Sequence, residues 1–296
     1  SPPAIGFWRG WSIAGGCAIG SGIFMMPTLL APYGLLGMAG WLTAGAGTLL
    51  VALSLSRLAR RIPKIGGPYA YVHAGLGDFA GFLIAWTYWI SCVAAVAGIA
   101  VAFVGYLGVF IPALGDSNGM ALVCSLGLIW MIFALNIRSL ESSSQFQLIS
   151  TMLKILPLLL MIAMGAIYME PANVPAYYPA DVHPAAILAT VTTLVMWSFI
   201  GIETASVPAD NMVNPEKTIP RVLIASVLTI MMLYFLVSIA IALIVPAAQL
   251  SNSTAPFALA ATKVMGPVGG AIITAGALIS TLGSLNANAL TAGNIA

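Results

Sequence analysis

Long apolar stretches follow one another along almost the whole chain. Each is close to the roughly 20 residues that an α-helix needs to cross a bilayer with a hydrocarbon core of about 30 Å. Eight such stretches are found: Ser12–Tyr33, Gly40–Leu58, Phe79–Ile111, Met120–Leu135, Ile149–Tyr168, Ala185–Val207, Val222–Val245 and Val268–Ala289. The pattern predicts an all-α integral membrane protein with about eight transmembrane helices.

The composition supports this interpretation and indicates that the chain is embedded in lipid. Hydrophobic residues make up 60% of the 296 positions and charged residues only 6%, with a mean hydropathy of +1.04. A soluble domain carries about a quarter charged residues. We therefore expect the chain to be surrounded by a lipid bilayer, and we expect no nucleic-acid partner.

The basic residues indicate how the chain is oriented. Nearly all of them lie before the first stretch or after the second, fourth and sixth, and these are Arg9, Arg57, Arg60, Arg61, Lys64, Arg138, Lys217 and Arg221. The opposite side carries Lys263 beside Asp116, Glu170 and Asp181. The positive-inside rule then predicts a multi-pass protein of the inner (plasma) membrane with a cytoplasmic N-terminus.

The cysteines and histidines do not predict a catalytic or metal site. All three cysteines, Cys17, Cys92 and Cys124, lie within apolar stretches, where their spacing suits packing rather than a metal cluster. His73 and His183 lie in loops and form no nucleophile or ligand constellation with them. We expect no metal, no cofactor and no enzymatic activity.

The middle of the first stretch is rich in residues that interrupt helices. These are Gly15, Gly16, Gly20, Ser21, Gly22 and Pro27. A broken helix is tolerated at membrane depth where its backbone faces protein or a cavity, and the free N–H groups of its second half bind anions such as carboxylates. The glycines are equally compatible with close packing of an unbroken helix.

The sixth stretch combines a glycine with an acidic residue in the segment Trp197–Glu203. A carboxylate near mid-membrane costs about 3 kcal/mol or more, so Glu203 is expected to face the interior, a partner or water. It is then a candidate for proton coupling, or a protonated structural residue bonded to nearby backbone.

Interruptions in the first and sixth stretches indicate an inverted repeat. An offset of five spans reverses the direction of the corresponding helices, and paired interruptions in two inverted halves mark the midplane substrate site of secondary transporters. We assign residues 1–168 to the first five-helix repeat and residues 169–296 to an incomplete second one, within a single transporter domain.

Lys154 is a basic residue inside the fifth stretch, three residues before Pro157. A lysine that loses and regains its proton in an apolar environment is a candidate coupling group. The alternative is that its long side chain extends to the cytoplasmic headgroups.

Three ordered motifs resemble the amino acid, polyamine and organocation permeases, and among them the bacterial antiporters of basic amino acids and polyamines. They are Gly20–Phe24 (GSGIF) followed by Pro27, Gly66–Tyr71 (GGPYAY) after the second span, and Trp197–Glu203 (WSFIGIE) in the sixth. The resemblance covers the whole chain. It implies a leucine-transporter-like fold with an inverted five-helix repeat and broken helices 1 and 6.

The resemblance also implies roles for individual residues. The substrate carboxylate would bind amides around Ser21 and Gly22, and the α-amino group would bind carbonyls near Ala18, Trp197 and Ile200. Further substrate-binding positions implied are Ile19, Ile23, Ser91, Cys92 and Asn288. Trp197 would be a middle gate and Tyr88 part of an outer gate, while Lys154 and Glu203 would couple transport to protons.

Two positions depart from the pattern of the arginine-carrying members. Asn288 stands where those members have an aromatic gate residue in helix eight, and Val96 replaces a polar residue of the third helix. With Ser91 and Cys92 near the expected pocket, this favours a neutral or small amino acid over arginine.

The permeases that the chain resembles have twelve helices, whereas this chain ends at about the eighth. We expect the 296 residues to belong to a longer permease. The alternative is an eight-helix relative that completes its cavity by oligomerisation, and both a monomer and a homodimer fit the sequence.

The sequence thus predicts a secondary active transporter of amino acids or related amines. Antiport and proton-coupled symport both fit. The alternative function is a membrane sensor of amino acids, or a channel, that does not transport by alternating access.

Overall fold

A computed structural model of the chain describes residues 5–62, 67–138, 144–173, 179, 182–206 and 212–295. In this part of the chain, β pairing is limited to one isolated bridge between Ile5 and Met212. The α-helices are α1 (Phe7–Ala18), α2 (Ser21–Leu30), α3 (Gly34–Arg61), α4 (Pro68–Leu76), α5 (Asp78–Leu107), α6 (Ala113–Asp116), α7 (Asn118–Arg138), α8 (Ser144–Ile167), α9 (Pro184–Met196), α10 (Pro215–Ile244), α11 (Ala247–Leu250) and α12 (Pro256–Ile295).

The helical prediction is confirmed, because each predicted apolar stretch coincides mainly with helix in the described residues. The first stretch forms two helices, α1 and α2, rather than one, and the sixth forms α9 and two short 3-10 turns. Helix α12 contains one non-helical residue, Gly266, with a φ of 72°. Four positions used in the sequence analysis, Lys64, Gly66, Asp181 and Val207, lie outside the described residues.

Five helical stretches of the described residues are long and apolar enough to cross a membrane. They are Gly22–Arg61, Asp78–Leu107, Pro184–Thr204, Pro215–Ile244 and Pro256–Ala289. Two shorter apolar helices, Asn118–Ala134 and Thr151–Ile167, accompany them. The number of crossings and the inverted repeat stay predictions.

Helix α10 lies at the centre of the packing, in contact with α1, α3 and α8. Helix α3 also contacts α9, whereas α5 packs mainly against α12 and α7. Small residues bring these helices together. A β-carbon added to Gly165 of α8 would lie 2.6 Å from the Ala240 Cα of α10. Such close backbone approach is a main source of helix association in lipid, where apolar burial between helices gains little.

A buried aromatic cluster joins three helices at one end of the bundle. The Tyr106 hydroxyl of α5 donates a hydrogen bond to the Phe24 carbonyl of α2 at 2.8 Å, and the Phe257 N–H of α12 donates to the same hydroxyl at 3.4 Å. The Phe24 ring lies 5.7 Å from that of Tyr106 and 4.8 Å from that of Phe257. The cluster therefore fixes the N-terminal half of α2 between α5 and α12.

A polar cluster ties together the loop after α8, the end of α10 and the start of α12. Lys263 Nζ donates to Glu170 Oε2 at 3.1 Å and to the Ile244 carbonyl at 2.8 Å. Asn173 Nδ2 donates to the same carboxylate at 3.1 Å and to the same carbonyl at 2.9 Å. Two charged residues that the sequence analysis assigns to one side of the membrane thus form an ion pair.

Substitution of Gly165 by alanine should destabilise the protein, because the new methyl group would overlap the Ala240 backbone of α10. Overpacking of this kind costs about 1–3 kcal/mol. We expect a lower melting temperature for the full-length protein purified in detergent. The matched control is Gly127→Ala on α7, where no neighbour lies within 4 Å of the added carbon. Equal melting temperatures for the two variants would contradict the predicted α8–α10 contact.

Candidate functional site

The first helical stretch is interrupted by two non-helical residues between α1 and α2. Ile19 has an extended conformation with a ψ of 93°, and Gly20 has a φ of −151° and a ψ of −142°. No side chain that the structure describes caps the N-terminus of α2. The break therefore leaves the first N–H groups of α2 without a side-chain acceptor, at the positive end of the helix dipole.

The sixth helical stretch is interrupted in a similar way. Helix α9 continues into a 3-10 turn at Trp197–Phe199, and a second 3-10 turn covers Ile202–Ser206. Between them Ile200 is extended and Gly201 has a φ of +105°, a conformation that favours glycine because other residues strain there.

The two breaks contact each other directly, and glycines make this contact possible. A β-carbon added to Gly201 would lie 3.0 Å from Cys17 Cβ, and one added to Gly22 would lie 3.1 Å from Trp197 Cδ1. Both glycines occur in the motifs that the sequence analysis singled out. The interrupted segments therefore form one shared site.

Lys154 of α8 lies beside the first break rather than extending to the headgroups. Its side chain is only 2% exposed, and Nζ donates to the Gly16 carbonyl at 2.9 Å and to Ser284 Oγ at 3.1 Å. Ser284 of α12 in turn donates to the Ile19 carbonyl at 3.1 Å. The ammonium thus lies at the C-terminal, negative end of α1, where the helix dipole favours a cation.

Tyr234 of α10 satisfies a further carbonyl of the break. Its hydroxyl donates to the Ala18 carbonyl at 3.0 Å, and the side chain is fully buried. Ala18 is a predicted acceptor for the α-amino group of a substrate. A carbonyl oxygen accepts two hydrogen bonds, so the Tyr234 bond leaves a second acceptor position of Ala18 for which the described side chains supply no donor.

A small cavity of about 30 Å³ lies where the breaks meet. Its lining combines the two interrupted segments with α5 and α12: Cys17, Ala18, Gly20, Gly22, Ala95, Ile99, Trp197, Ile200, Ser284 and Asn288. One or two water molecules would fill this volume, whereas ligand pockets usually measure about 300–1,000 Å³. In this conformation the site has no room for an amino acid.

Trp197 forms one wall of the small cavity. Its ring lies against α5, since a β-carbon added to Gly98 would lie 2.9 Å from Trp197 Cη2. On the opposite wall Asn288 is held in α12 by its Nδ2, which donates to the Ser284 carbonyl at 2.9 Å. These contacts bring two predicted site residues from distant parts of the chain to one place.

Glu203 borders two larger cavities next to the site. One, of about 310 Å³, is lined by Pro68, Tyr69, Ile84, Ala85, Thr87, Tyr88, Ser91 and Glu203. The other, of about 260 Å³, also includes Pro68 and Glu203 among its lining residues. The Gly201 N–H donates to both carboxylate oxygens of Glu203, at 3.1 and 3.2 Å, and Tyr88 lies within hydrogen-bonding reach of this carboxylate.

The position of Tyr88 conflicts with an outer gate if the chain has the orientation that its charge pattern predicts. Tyr88 shares its cavity with Pro68 at the start of α4, on the side of the connection between α3 and α4. The charge pattern assigns this connection to the cytoplasm. The two expectations are incompatible in this structure, and an inner position of Tyr88 agrees with the charge pattern.

Four other predicted residues lie away from the small cavity. Ile19 and Ile23 are almost completely buried in the hydrophobic core and do not line the small cavity, although Ile19 itself forms part of the break. Cys92 is 4% exposed and is not among the lining residues of the small cavity. The Ser91 hydroxyl donates to the Tyr88 carbonyl at 2.7 Å and lines the larger cavity instead.

The structure adds residues that the sequence analysis missed. Ser284, Tyr234, Ala95 and Ile99 approach the breaks from α12, α10 and α5. Only Ser284 carried a usable signal, since it precedes Asn288 by one helical turn and shares its face. Within the described residues, no group of three or more His, Cys, Asp or Glu side chains could hold a metal ion.

Comparisons with known proteins agree with the motifs. The sequence matches the family described as amino acid permease over residues 5–295. The arginine/ornithine antiporter of Pseudomonas aeruginosa is 30% identical over 280 residues, which are 91% of this chain and 58% of that protein. The cadaverine/lysine antiporter of Escherichia coli is 26% identical over 291 residues, which are 96% of this chain and 64% of that protein.

The putrescine transporter PotE of Escherichia coli is 28% identical over 268 residues, which are 90% of this chain and 61% of that protein. The chain thus spans between 58% and 64% of the length of these three curated relatives. Because the family match covers nearly every residue, including both breaks, the chain belongs to the amino acid permease family.

Proposed function

We propose that the protein is a secondary active transporter that moves amino acids or related amines across the cytoplasmic membrane by alternating access. The observation that carries this proposal is the meeting of two helix breaks around the uncapped N-terminus of α2. The three relatives above are named as transporters of amino acids or amines. A sensor or a channel that does not transport is therefore not favoured.

The head of an amino acid complements the breaks electrostatically. Its carboxylate binds the N–H groups of Ser21 and Gly22 at the positive end of α2. Its ammonium binds the remaining acceptor position of Ala18 together with the carbonyls of Trp197 and Ile200. Because the main chain binds the head of the amino acid, the side chain of the substrate contacts Ala95, Asn288 and other lining residues of the cavity.

Substrate binding requires the walls of the small cavity to separate. The cavity measures about 30 Å³, whereas the cavity beside Tyr88 and Glu203 measures about 310 Å³. Trp197 acts as a middle gate between them, and Tyr88 acts as a gate on the cytoplasmic side. The contrast in size supports a cycle in which the substrate site opens to one side of the membrane at a time.

The packing supports two bodies that move relative to each other. Helix α10 contacts α1 and α3, and α3 contacts α9, while α5 packs against α7 and α12. The first group corresponds to spans one, two, six and seven of a leucine-transporter-like fold, with repeats at residues 1–168 and 169–296. Rocking of this group against α5, α7 and α12 would open the site, because this movement would carry the Trp197 ring away from Gly98.

Antiport and proton-coupled symport both remain within the proposal, and Lys154 supports the coupled form. Its protonated amine joins the carbonyl end of α1 to Ser284 of α12, and loss of the proton would remove the charge that favours this position. Glu203 is the second proton-coupling candidate, since it borders both larger cavities.

The remaining features of the proposal follow the charge pattern and the family. The protein is a multi-pass protein of the inner membrane with a cytoplasmic N-terminus, and its partners are the substrate, lipid and protons. A homodimer is compatible with the proposal. The substrate class includes both amino acids and amines, because the relatives described above are named for compounds of both kinds.

Substitution of Ser21 by proline should weaken substrate binding while leaving the fold intact. Proline is tolerated in the first turn of a helix and removes only the N–H there. Loss of one hydrogen bond to a charged group costs about 1.5–3 kcal/mol, which corresponds to roughly a 10- to 150-fold rise in KM. The measurement is uptake of a radiolabelled amino acid panel into liposomes that contain the full-length protein.

The matched control is Ser21→Ala, which keeps the N–H and should keep the wild-type KM. If Ser21→Pro transported with an unchanged KM at the same protein amount, α2 would not be the carboxylate site.

Substitution of Lys154 by glutamine should abolish accumulation driven by a pH gradient, because the amide bonds the same neighbours without exchanging a proton. Exchange of internal for external substrate should continue. Both activities are measured in liposomes with and without an imposed gradient and internal substrate. The control is Lys263→Gln, which removes an amine that is bonded outside the site. Undiminished gradient-driven accumulation by Lys154→Gln would exclude the lysine as the coupling group.

A further inference from the structure

The exposed face of α3 changes from apolar to basic along its length. Leu50 and Leu53 are 67% and 40% exposed, and Arg57, Arg60 and Arg61 are exposed at the C-terminal end of the helix. Spacings of three and four residues bring all five side chains to one side of α3. The first arginine lies about 6 Å beyond Leu53 along the helix axis. One face therefore carries an apolar zone followed directly by a cationic zone.

Helix α10 has the same division on its own exposed face. Lys217 and Arg221 are exposed near its N-terminus, and Leu228 and Met232 are 43% and 54% exposed further along. Spacings of four and seven residues bring these four side chains to one side of α10. The cations of α10 thus lie beyond an apolar zone, as those of α3 do.

The two helices pack against each other in an antiparallel direction. The rings of Trp41 and Tyr234 lie 5.3 Å apart, and a β-carbon added to Gly45 would overlap the Met231 side chain. Residue numbers therefore rise along α3 where they fall along α10. Extended by about three to four helical turns, this register brings the arginines of α3 level with the first turns of α10. The five cations at this end of the helix pair form the basic patch: Arg57, Arg60, Arg61, Lys217 and Arg221.

The charge of the basic patch is not neutralised within the protein. None of its five side chains forms an ion pair with any residue that the structure describes. Helices α3 and α10 together carry a single acidic residue, Glu216. The patch therefore has an excess of positive charge that an anion from outside the protein can neutralise.

The basic residues at this end of the bundle are concentrated on the side of α3 and α10. Helix α5 begins at the same end, because the short helix α4 contacts both α3 and α5. Neither α4 nor α5 contains a lysine or an arginine, and the start of α5 presents the exposed Phe79 and an ion pair of Asp78 with His73. The orientation rule requires only an excess of basic residues on one side of the membrane. It does not account for their concentration on two neighbouring helices.

A phospholipid with a net negative charge complements both zones of the two faces. Arginine binds phosphate oxygens through two parallel N–H groups, and clusters of four to eight basic residues next to a membrane-spanning helix are typical of sites for anionic lipids. Acyl chains match the exposed leucines and methionine below the cations. A zwitterionic lipid would bring its own cationic group to the basic patch and gain less from it.

We propose that the basic patch is a binding site for an anionic phospholipid. The phosphate binds the arginines of α3 together with Lys217 and Arg221, and the acyl chains lie along the exposed apolar residues of the same two helix faces. In the orientation proposed above, this lipid belongs to the cytoplasmic leaflet. The site is separate from the helix breaks and does not depend on which substrate the protein moves.

The test measures lipid binding by native mass spectrometry of the full-length protein released from detergent. Phosphatidylglycerol is the anionic probe, and phosphatidylethanolamine with the same acyl chains is the zwitterionic one. One variant combines Arg57→Gln, Arg60→Gln and Arg61→Gln, and a second combines Lys217→Gln and Arg221→Gln. The matched control is Lys263→Gln, which removes a cation at the opposite end of α10, where its amine donates to the Ile244 carbonyl.

The wild type should bind phosphatidylglycerol about tenfold more tightly than phosphatidylethanolamine. The triple variant should raise the Kd for phosphatidylglycerol about tenfold or more, and the double variant should raise it by a smaller factor. The Kd for phosphatidylethanolamine should stay the same in both, which also shows that the variants are folded. Lys263→Gln should bind both lipids as the wild type does. Because the two variants alter different helices, the double variant tests the site even where the triple variant lowers the amount of folded protein.

Three results would overturn the inference. Equal Kd values of the wild type for the two lipids would exclude a site for anionic lipid. An unchanged preference for phosphatidylglycerol in both variants would place the bound lipid elsewhere on the protein. Equally effective competition by glycerol phosphate, which lacks acyl chains, would show that the basic patch binds soluble phosphate instead. None of these results would affect the proposed transport function, which the uptake experiments test separately.

Discussion

The structure around the site depends on one constraint, which is that a backbone group freed by a helix break at membrane depth needs a partner inside the protein. The break between α1 and α2 frees carbonyls at one end and N–H groups at the other. Three side chains from α8, α10 and α12 satisfy the carbonyl end. No described side chain caps the N–H end. The protein thus holds one half of the break itself and leaves the other half available to an anion.

The same break organises charge within an apolar environment. The C-terminal end of α1 is the negative end of a dipole, and the amine of Lys154 lies there. The N-terminal end of α2 is the positive end, where no described side chain caps the first N–H groups. A cation of the protein and an anionic group of the substrate would therefore occupy opposite ends of one interruption. Lys154 reaches the break itself only through Ser284, whose hydroxyl accepts from the Lys154 amine and donates to the Ile19 carbonyl.

Close packing and function require the same glycines. Helices in lipid gain little from apolar burial and associate through small residues that allow backbones to approach. Gly22 and Gly201 allow the two breaks to touch, and Gly201 also adopts a φ of +105°. The site is consequently built from rigid helix ends rather than from flexible loops. In the transport cycle proposed above, movement would therefore have to involve whole helices.

The sequence by itself determined the apolar helices, the two interruptions and the family, because hydropathy, glycine spacing and contiguous motifs are local properties of the chain. It could not determine which distant side chains reach the breaks, since Tyr234 carries no local signal of that contact and Ser284 carries only its position one turn before Asn288. The sequence left open whether the Lys154 side chain lies inside the protein or extends to the headgroups. The tertiary structure shows its amine donating to the Gly16 carbonyl. Tyr88 likewise looked like an outer gate, whereas the packing of α4 against α5 brings it to the side of Pro68. Only the three-dimensional arrangement decides such contacts, because they join residues far apart in sequence through the packing of whole helices.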